Sequence, residues 1–192
     1  MSLMPLAEAT TLTFTAPLFA TVGAALFLGE VVRLRRWTAT LVGFAGVMIV
    51  LRPGVELLTA GSVWAIATSV FMAATALVIK SLARTENVKV IVFYMALFMT
   101  PLSVIPAAFV WAWPSWETLG YVGVLGLAAT VAQTAFAKAM RAAEASAVMT
   151  VDFARLLFAA ALAYLFFGEI PDAYTWLGAG VILAANVYIT PR

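Results

Sequence analysis

The sequence predicts an all-α integral membrane protein, a bundle of about seven transmembrane helices. Of its 192 residues, 65% are hydrophobic and only 10% are charged, a far more apolar composition than that of a soluble domain. A spanning helix needs roughly 20 apolar residues, so several spans fill the chain and leave no room for a separate soluble domain. Cysteine and histidine are absent, which excludes disulfides, thiolate or imidazole metal sites and histidine-dependent catalysis. We therefore expect neither an enzyme nor a cofactor.

Charged residues, prolines and glycines divide the chain into seven apolar runs. The second and seventh runs are short for a membrane crossing, but each begins at a tryptophan, Trp37 or Trp176, a residue that anchors helix ends at the membrane interface. We keep both as spans. The predicted spans are 9–28, 37–51, 60–80, 90–111, 118–138, 145–167 and 174–190.

Lysine and arginine concentrate in alternate loops, which predicts the orientation of the chain. By the positive-inside rule these loops are cytoplasmic, so we expect the N-terminus outside, the C-terminus inside and the protein in the inner (cytoplasmic) membrane. The opposite loops carry mostly acidic residues and a group of tryptophans. The basic residues of the cytoplasmic side are Arg33, Arg35, Arg36, Lys80, Arg84, Lys89, Lys138, Arg141 and Arg192.

Two segments of the chain repeat each other. Residues 14–37 align without gaps on residues 153–176, so that Phe14 matches Phe153 and each copy closes on a Gly-Glu pair and a tryptophan. The first copy ends in an arginine-rich loop and the second in a loop that contains Asp172 but no lysine or arginine. The copies therefore face opposite ways across the membrane, an architecture typical of secondary transporters.

The repeated pattern, "PLFATVGAALFLGE" followed by "GFAGVMIVLRP" and again "RLLFAAALAYLFFGE" followed by "WLGAGVILAANVYI", resembles EamA-type permeases of the drug/metabolite transporter superfamily. The resemblance implies two inverted halves of five helices each. Residues 1–54 would be the C-terminal part, two helices, of the first repeat, and residues 55–192 the complete second repeat. About three N-terminal helices of the family pattern are missing, which suggests a truncated product, a wrongly assigned start or an incomplete sequence.

The resemblance implies a secondary transporter that moves small organic metabolites, such as amino acids, S-adenosylmethionine or riboflavin, by alternating access. The alternative is a truncated, non-transporting membrane remnant or an assembly partner, because part of the expected cavity wall is absent. On either reading we expect this chain alone to transport weakly or not at all. The expected partners are a small-molecule metabolite and the lipid bilayer, not nucleic acid, with a homodimer left open.

Asp152 and Arg155 are the main candidate site residues. They lie three positions apart on the sixth predicted span, hence on one helical face, and Arg155 lies roughly 15 Å from the cytoplasmic end of that span. A charge at that depth costs about 3 kcal/mol or more unless it is paired or hydrated. Either the pair lines a substrate cavity, with Arg155 binding an anionic group and Asp152 serving as a proton or cation site, or it is an ion pair that only packs helices. We favour the cavity.

Other polar and small residues inside the spans are weaker candidates. Gln133, Tyr94 and Asn186 could face either a neighbouring helix or the substrate pathway. We expect Lys80 and Lys138 to extend to the membrane interface, and the Gly-Glu pairs to form turns in which the glutamate caps the next helix. The glycines of three spans predict close helix packing; they are Gly43, Gly46, Gly120, Gly123, Gly126, Gly178 and Gly180.

The charge distribution makes the orientation testable. The chain has no cysteine, so a single cysteine introduced by Ser115→Cys reports its own side of the membrane. We expect a membrane-impermeant thiol reagent to label this variant from outside, and a cysteine in the 81–89 loop only from inside. Labelling of Ser115→Cys from inside only would overturn the assignment.

Overall fold

The computed structural model describes residues 12–52, 60–168, 170 and 172–189. Five helical runs in this part of the chain are long and apolar enough to cross a membrane, and two apolar helices are shorter. The all-α, seven-span prediction is confirmed. The helices are α1 (Ala16–Phe27), α2 (Leu34–Leu51), α3 (Ala60–Leu82), α4 (Val88–Phe109), α5 (Trp116–Ala142), α6 (Ala145–Val151), α7 (Arg155–Phe167) and α8 (Ala173–Ile189).

The sixth predicted span is not one continuous helix. A 3₁₀ turn over Asp152–Ala154 separates α6 from α7. The break coincides with the fully buried ring of Phe153, which packs into the space left by the missing side chain of Gly43 on α2. A 3₁₀ stretch inside a helix often marks a hinge or a local constraint. Here the turn begins at Asp152 and ends immediately before Arg155, the two residues that the sequence singles out.

The chain divides into two compact units, one of Met1–Leu77 with Glu144–Arg192 and the other of Val78–Ala143. Helix α3 runs from the first unit into the second. The first unit also contains α1, α2, α6, α7 and α8, and the second contains α4 and α5. Residues from both sequence copies, 14–37 and 153–176, therefore lie in the first unit.

Helices α2 and α8 cross with their backbones in contact. A methyl group added at Gly46 would lie 2.7 Å from Cγ1 of Ile182 and 3.1 Å from the carbonyl oxygen of Gly178, and one added at Gly178 would lie 2.7 Å from the carbonyl oxygen of Gly46. Close packing is thus confirmed for Gly43, Gly46 and Gly178. The prediction of close packing is not met by the other four glycines. A methyl group added to any of them would have no atom of the described residues within 4 Å; they are Gly120, Gly123, Gly126 and Gly180.

Arginines at the two ends of α2 contact both ends of α8. Near the start of α2, Arg35 Nε donates to the carbonyl oxygen of Tyr188 at 2.6 Å, and its guanidinium lies 5.1 Å from the centroid of that ring. Just beyond the end of α2, Arg52 pairs with Asp172 and lies 3.7 Å from the ring centroid of Tyr174. The start of one helix meets the end of the other, so α2 and α8 are antiparallel.

The sequence repeat is also a structural repeat. The alignment has a constant separation of 139 residues, which makes α2 and α8 equivalent, and their antiparallel packing shows that the copies are inverted. Equivalent glycines take the same left-handed conformation, with φ of 65° at Gly29 and 67° at Gly168. The rings of the equivalent Phe14 and Phe153 contact each other, with centroids 6.3 Å apart. A residue that touches its own equivalent lies beside the axis that relates the two copies.

The core of the first unit is built from both copies. Its fully buried members are Phe14, Val47, Phe153 and Ile182. Beside them, the hydroxyl groups of Thr40 on α2 and Thr150 on α6 share a hydrogen bond of 2.7 Å. One hydroxyl donates to the other, and the accepting hydroxyl donates its own proton to a carbonyl of its helix, that of Arg36 or of Ser146. Both buried oxygens are therefore satisfied, as an apolar interior requires.

Lys80 corrects one prediction. Its side chain is 8% exposed, and Nζ donates to the carbonyl oxygens of Met140 at 2.7 Å and Ala143 at 2.6 Å. These carbonyls lie at the C-terminal end of α5, where an α-helix lacks internal donors and carries partial negative charge. Lys80 therefore caps α5 instead of extending to the membrane interface. Lys138 is exposed.

Asp172 fixes the start of α8. Its Oδ1 accepts from the backbone N–H and from the hydroxyl of Thr175, both at 2.8 Å. These two hydrogen bonds, followed by the one from Arg52, lower the pKa of Asp172 to about 2. A carboxyl group whose pKa is lower in the folded than in the unfolded protein stabilises the fold at every pH above its unfolded pKa. This stabilisation is lost as the pH falls from the unfolded pKa to below the folded pKa.

The α2–α8 contact predicts unequal effects from two matched substitutions. Gly178→Ala places a methyl group against the backbone of Gly46 and should destabilise the protein by about 1–3 kcal/mol. Gly180→Ala, on the same helix, enters open space and should stabilise the protein slightly, by up to about 1 kcal/mol, because alanine favours the helix more than glycine does. Thermal unfolding of the two variants in detergent measures the difference. Equal unfolding midpoints would contradict the contact.

The cap at Asp172 predicts a pH-dependent difference between the wild type and Asp172→Asn. At pH 6 the wild type should have the higher unfolding midpoint. The amide oxygen of the introduced asparagine can still accept the hydrogen bonds from Thr175, but the asparagine lacks the negative charge that attracts Arg52. The difference should shrink as the pH falls from about 4, the usual carboxyl pKa, through about 2. Glu86→Gln, which removes an exposed carboxylate from the second unit, should follow the wild type. A difference that stays constant with pH would refute the charge contribution.

Candidate functional site

The structure brings Asp152 and Arg155 together. Their closest side-chain nitrogen and oxygen are 3.6 Å apart, so the prediction that their spacing lets them meet is confirmed. The Arg155 guanidinium also lies 4.5 Å from the centroid of the Phe14 ring. Since Phe14 contacts Phe153, the ion pair lies beside the axis that relates the two copies.

The ion pair is accessible. The side chain of Arg155 is 45% exposed and that of Asp152 is 28% exposed. A guanidinium has five N–H donors and no acceptor, and at 3.6 Å the contact with Asp152 is a longer, ionic one. Donors of Arg155 are therefore left for another acceptor, while the Phe14 ring and the carboxylate hold its position. This arrangement suits recognition of a carboxylate or carbonyl group.

An apolar cavity of about 740 Å³ lies along α7 and α8. Its wall on α7 begins one residue after Arg155. The volume is in the range of small-molecule sites, and two aromatic side chains and one threonine hydroxyl provide surfaces for stacking and hydrogen bonding. The lining residues are Val50, Leu156, Leu157, Ala160, Ala161, Tyr164, Leu165, Ile170, Thr175, Trp176, Ala179 and Leu183.

The sequence did not reveal this cavity. From the sequence, Trp176 is expected to be an interfacial anchor, and neither Tyr164 nor Thr175 stands out as a site residue. The available signal was the set of alanines at 160, 161 and 179, which leave room between two helices, but small residues equally predict close packing. Thr175, which lines the cavity, is held by its two bonds to Asp172.

The Gly-Glu pair of the first copy contacts the start of α6. The carboxylate of Glu30 accepts from the backbone N–H groups of Ala145 at 2.7 Å and Ser146 at 3.2 Å, and from the Ser146 hydroxyl at 3.1 Å. Arg36 pairs with Glu144 at the same place. Glu30 therefore caps α6, not the next helix α2 as predicted. The left-handed Gly29 turns the chain toward α6. Glu169 of the second pair lies outside the described residues.

The weaker candidates are distributed over both units. Tyr94 on α4 is half exposed and stacks on Phe98, with centroids 6.1 Å apart, and Gln133 is exposed on α5. Both belong to the second unit. Asn186 is partly buried on α8 in the first unit. Among the described residues no group of histidine, cysteine, aspartate and glutamate could hold a metal ion.

Comparison with known proteins shows the family. The model of the EamA-like transporter family matches residues 59–190. The chain is 35% identical to a riboflavin transporter of Vibrio cholerae, 34% identical to one of Rhizobium johnstonii and 29% identical to an S-adenosylmethionine uptake transporter of Rickettsia bellii. These alignments cover 97%, 98% and 98% of this chain and 63%, 63% and 65% of the relatives.

The fold has a counterpart among solved proteins. A crystal structure with 19% sequence identity superposes with a TM-score of 0.86, over 97% of this chain and 69% of the other. The family, its transporter-named relatives and the apolar helices describe a multi-pass membrane protein that is not an enzyme. The chain, which spans slightly less than two thirds of the length of the first relatives, belongs to the EamA-like transporter family of the drug/metabolite transporter superfamily.

Proposed function

We propose that the chain takes part in secondary transport of small organic metabolites across the inner membrane, by alternating access between two inverted repeats. Residues 1–54 belong to the first repeat in this proposal, and residues 55–192 form the second. The observation that carries the proposal is the accessible ion pair of Asp152 and Arg155 beside the Phe14–Phe153 contact. In transporters built from inverted repeats, substrate and ion sites lie where the repeats meet.

The substrate class that fits is a planar heteroaromatic metabolite with carbonyl or carboxylate acceptors. Relatives are named for riboflavin and for S-adenosylmethionine, and both compounds have this chemistry. In the proposal the fork of Arg155 binds the acceptors, Asp152 is the proton or cation site, and the planar ring stacks on Trp176 or Tyr164 in the apolar cavity. Tyr94, Gln133 and Asn186 are left as residues of the pathway or of helix packing.

Riboflavin binding to the purified 192-residue chain tests the site. Flavin fluorescence should be quenched saturably, and Arg155→Ala should weaken the apparent affinity about tenfold, the value of one charged hydrogen bond. Arg155→Lys should restore only part of it, because an ammonium lacks the planar fork. Arg33→Ala removes an arginine elsewhere in the first unit and should bind as the wild type does. S-adenosylmethionine as competitor distinguishes the two substrate types.

Three results would contradict the proposal. Unchanged affinity in a folded Arg155→Ala protein would remove Arg155 from the site. Single charge variants that fail to fold, together with a stable Asp152→Asn/Arg155→Gln double variant that binds normally, would make the pair purely structural. Absence of binding by both compounds to the folded wild type would favour the non-transporting alternative.

A further inference from the structure

A second cavity, of about 320 Å³, lies within the second unit between the start of α4 and the last turns of α5. Three of its seven lining residues carry positive charge and none is acidic. It belongs to neither the ion pair nor the apolar cavity of the first unit, and nothing in the proposed function uses it. The lining residues are Asn87, Val88, Lys89, Thr134, Lys138, Arg141 and Ala142.

The spacing of these residues directs them to one place. Thr134, Lys138 and Arg141 follow one another at intervals of four and three, so they share one face of α5. On the facing helix, Asn87 caps α4 by accepting from the backbone N–H of Lys89 at 3.0 Å. The first turn of α4, with its partial positive charge, therefore adjoins the three basic side chains.

No ion pair in the part of the chain that the structure describes includes a residue of this cavity. The ion pairs found there join Arg36 to Glu144, Arg52 to Asp172 and Arg155 to Asp152, and none includes a residue of the cavity. Lys89, Lys138 and Arg141 are all exposed. Three like charges around one cavity repel one another, and an anion bound among them removes that repulsion.

We propose that this cavity binds a phosphate group. Lysine and arginine are donors without acceptors, and a phosphate offers several charged acceptor oxygens to such a set. The group could come from the head of an anionic lipid or from a soluble phosphate compound. The charge distribution of the loops places residues 81–89 and 139–144 on the cytoplasmic side, where anionic lipids attract basic residues.

The test uses the purified 192-residue chain in an uncharged detergent. Dioleoyl phosphatidylglycerol and inorganic pyrophosphate are titrated separately, with the thermal unfolding midpoint as readout, and phosphatidylcholine serves as a lipid of no net charge. We expect phosphatidylglycerol or pyrophosphate to raise the midpoint saturably. Lys89→Gln/Lys138→Gln/Arg141→Gln should weaken the apparent affinity about tenfold or more. Lys138→Arg, which keeps the charge, should bind normally.

Arg33→Gln is the matched control for Lys138→Gln, since each removes one exposed basic side chain from the predicted cytoplasmic side but only Lys138 lines the cavity. If phosphatidylglycerol raises the unfolding midpoint of the wild type but not that of the triple variant, the cavity is a lipid site. If pyrophosphate does so, the cavity binds a soluble phosphate compound. The proposal is overturned if neither compound stabilises the wild type, or if both stabilise the triple variant equally. Should the triple variant fail to fold, equal affinities for Lys138→Gln and Arg33→Gln would overturn it as well.

Discussion

The backbone contact between α2 and α8 at Gly46 and Gly178 organises the first unit. Inside a bilayer, lipid tails are as apolar as leucine, so helices associate through close van der Waals contact more than through a hydrophobic effect. Glycine allows that approach. The contact brings Gly43 to the ring of Phe153, and the arginines at the two ends of α2 fix α8 along its length. The ion pair at Asp152 and Arg155 is placed by the same packing.

Local features were predictable from the sequence, and features that depend on which helices become neighbours were not. The spans follow from apolar run length, and the Asp152–Arg155 contact follows from a spacing of three residues. The repeat followed from the matched Gly-Glu pairs. Sequence reasoning missed the 3₁₀ turn, which accompanies the packing of Phe153 against another helix. It also placed Lys80 and Glu30 wrongly, because their hydrogen-bond partners lie 60 and 115 residues away along the chain.

Charged side chains of this apolar protein serve two purposes. Lys80 and Glu30 satisfy helix ends, where carbonyl or N–H groups lack partners inside the helix, and Arg52 with Asp172 holds the start of α8. These contacts hold helices together. The other two groups, Arg155 with Asp152 and the basic side chains of the cavity beside α4, are those to which we assign ligands in the proposals above.

If each copy were a separate but identical chain, and two such chains formed a dimer with opposite orientations, the same phenylalanine of both chains would form the contact made here by Phe14 and Phe153. Every substitution at that position would then change both partners of the contact at once. Joining the two copies in one chain removes that constraint. The neighbouring residues differ between the copies: Thr13 stands where the second copy has Asp152, and Ala16 where it has Arg155. A single chain that carries both copies can thus hold one charged pair, where a symmetric dimer would place two such pairs around its axis.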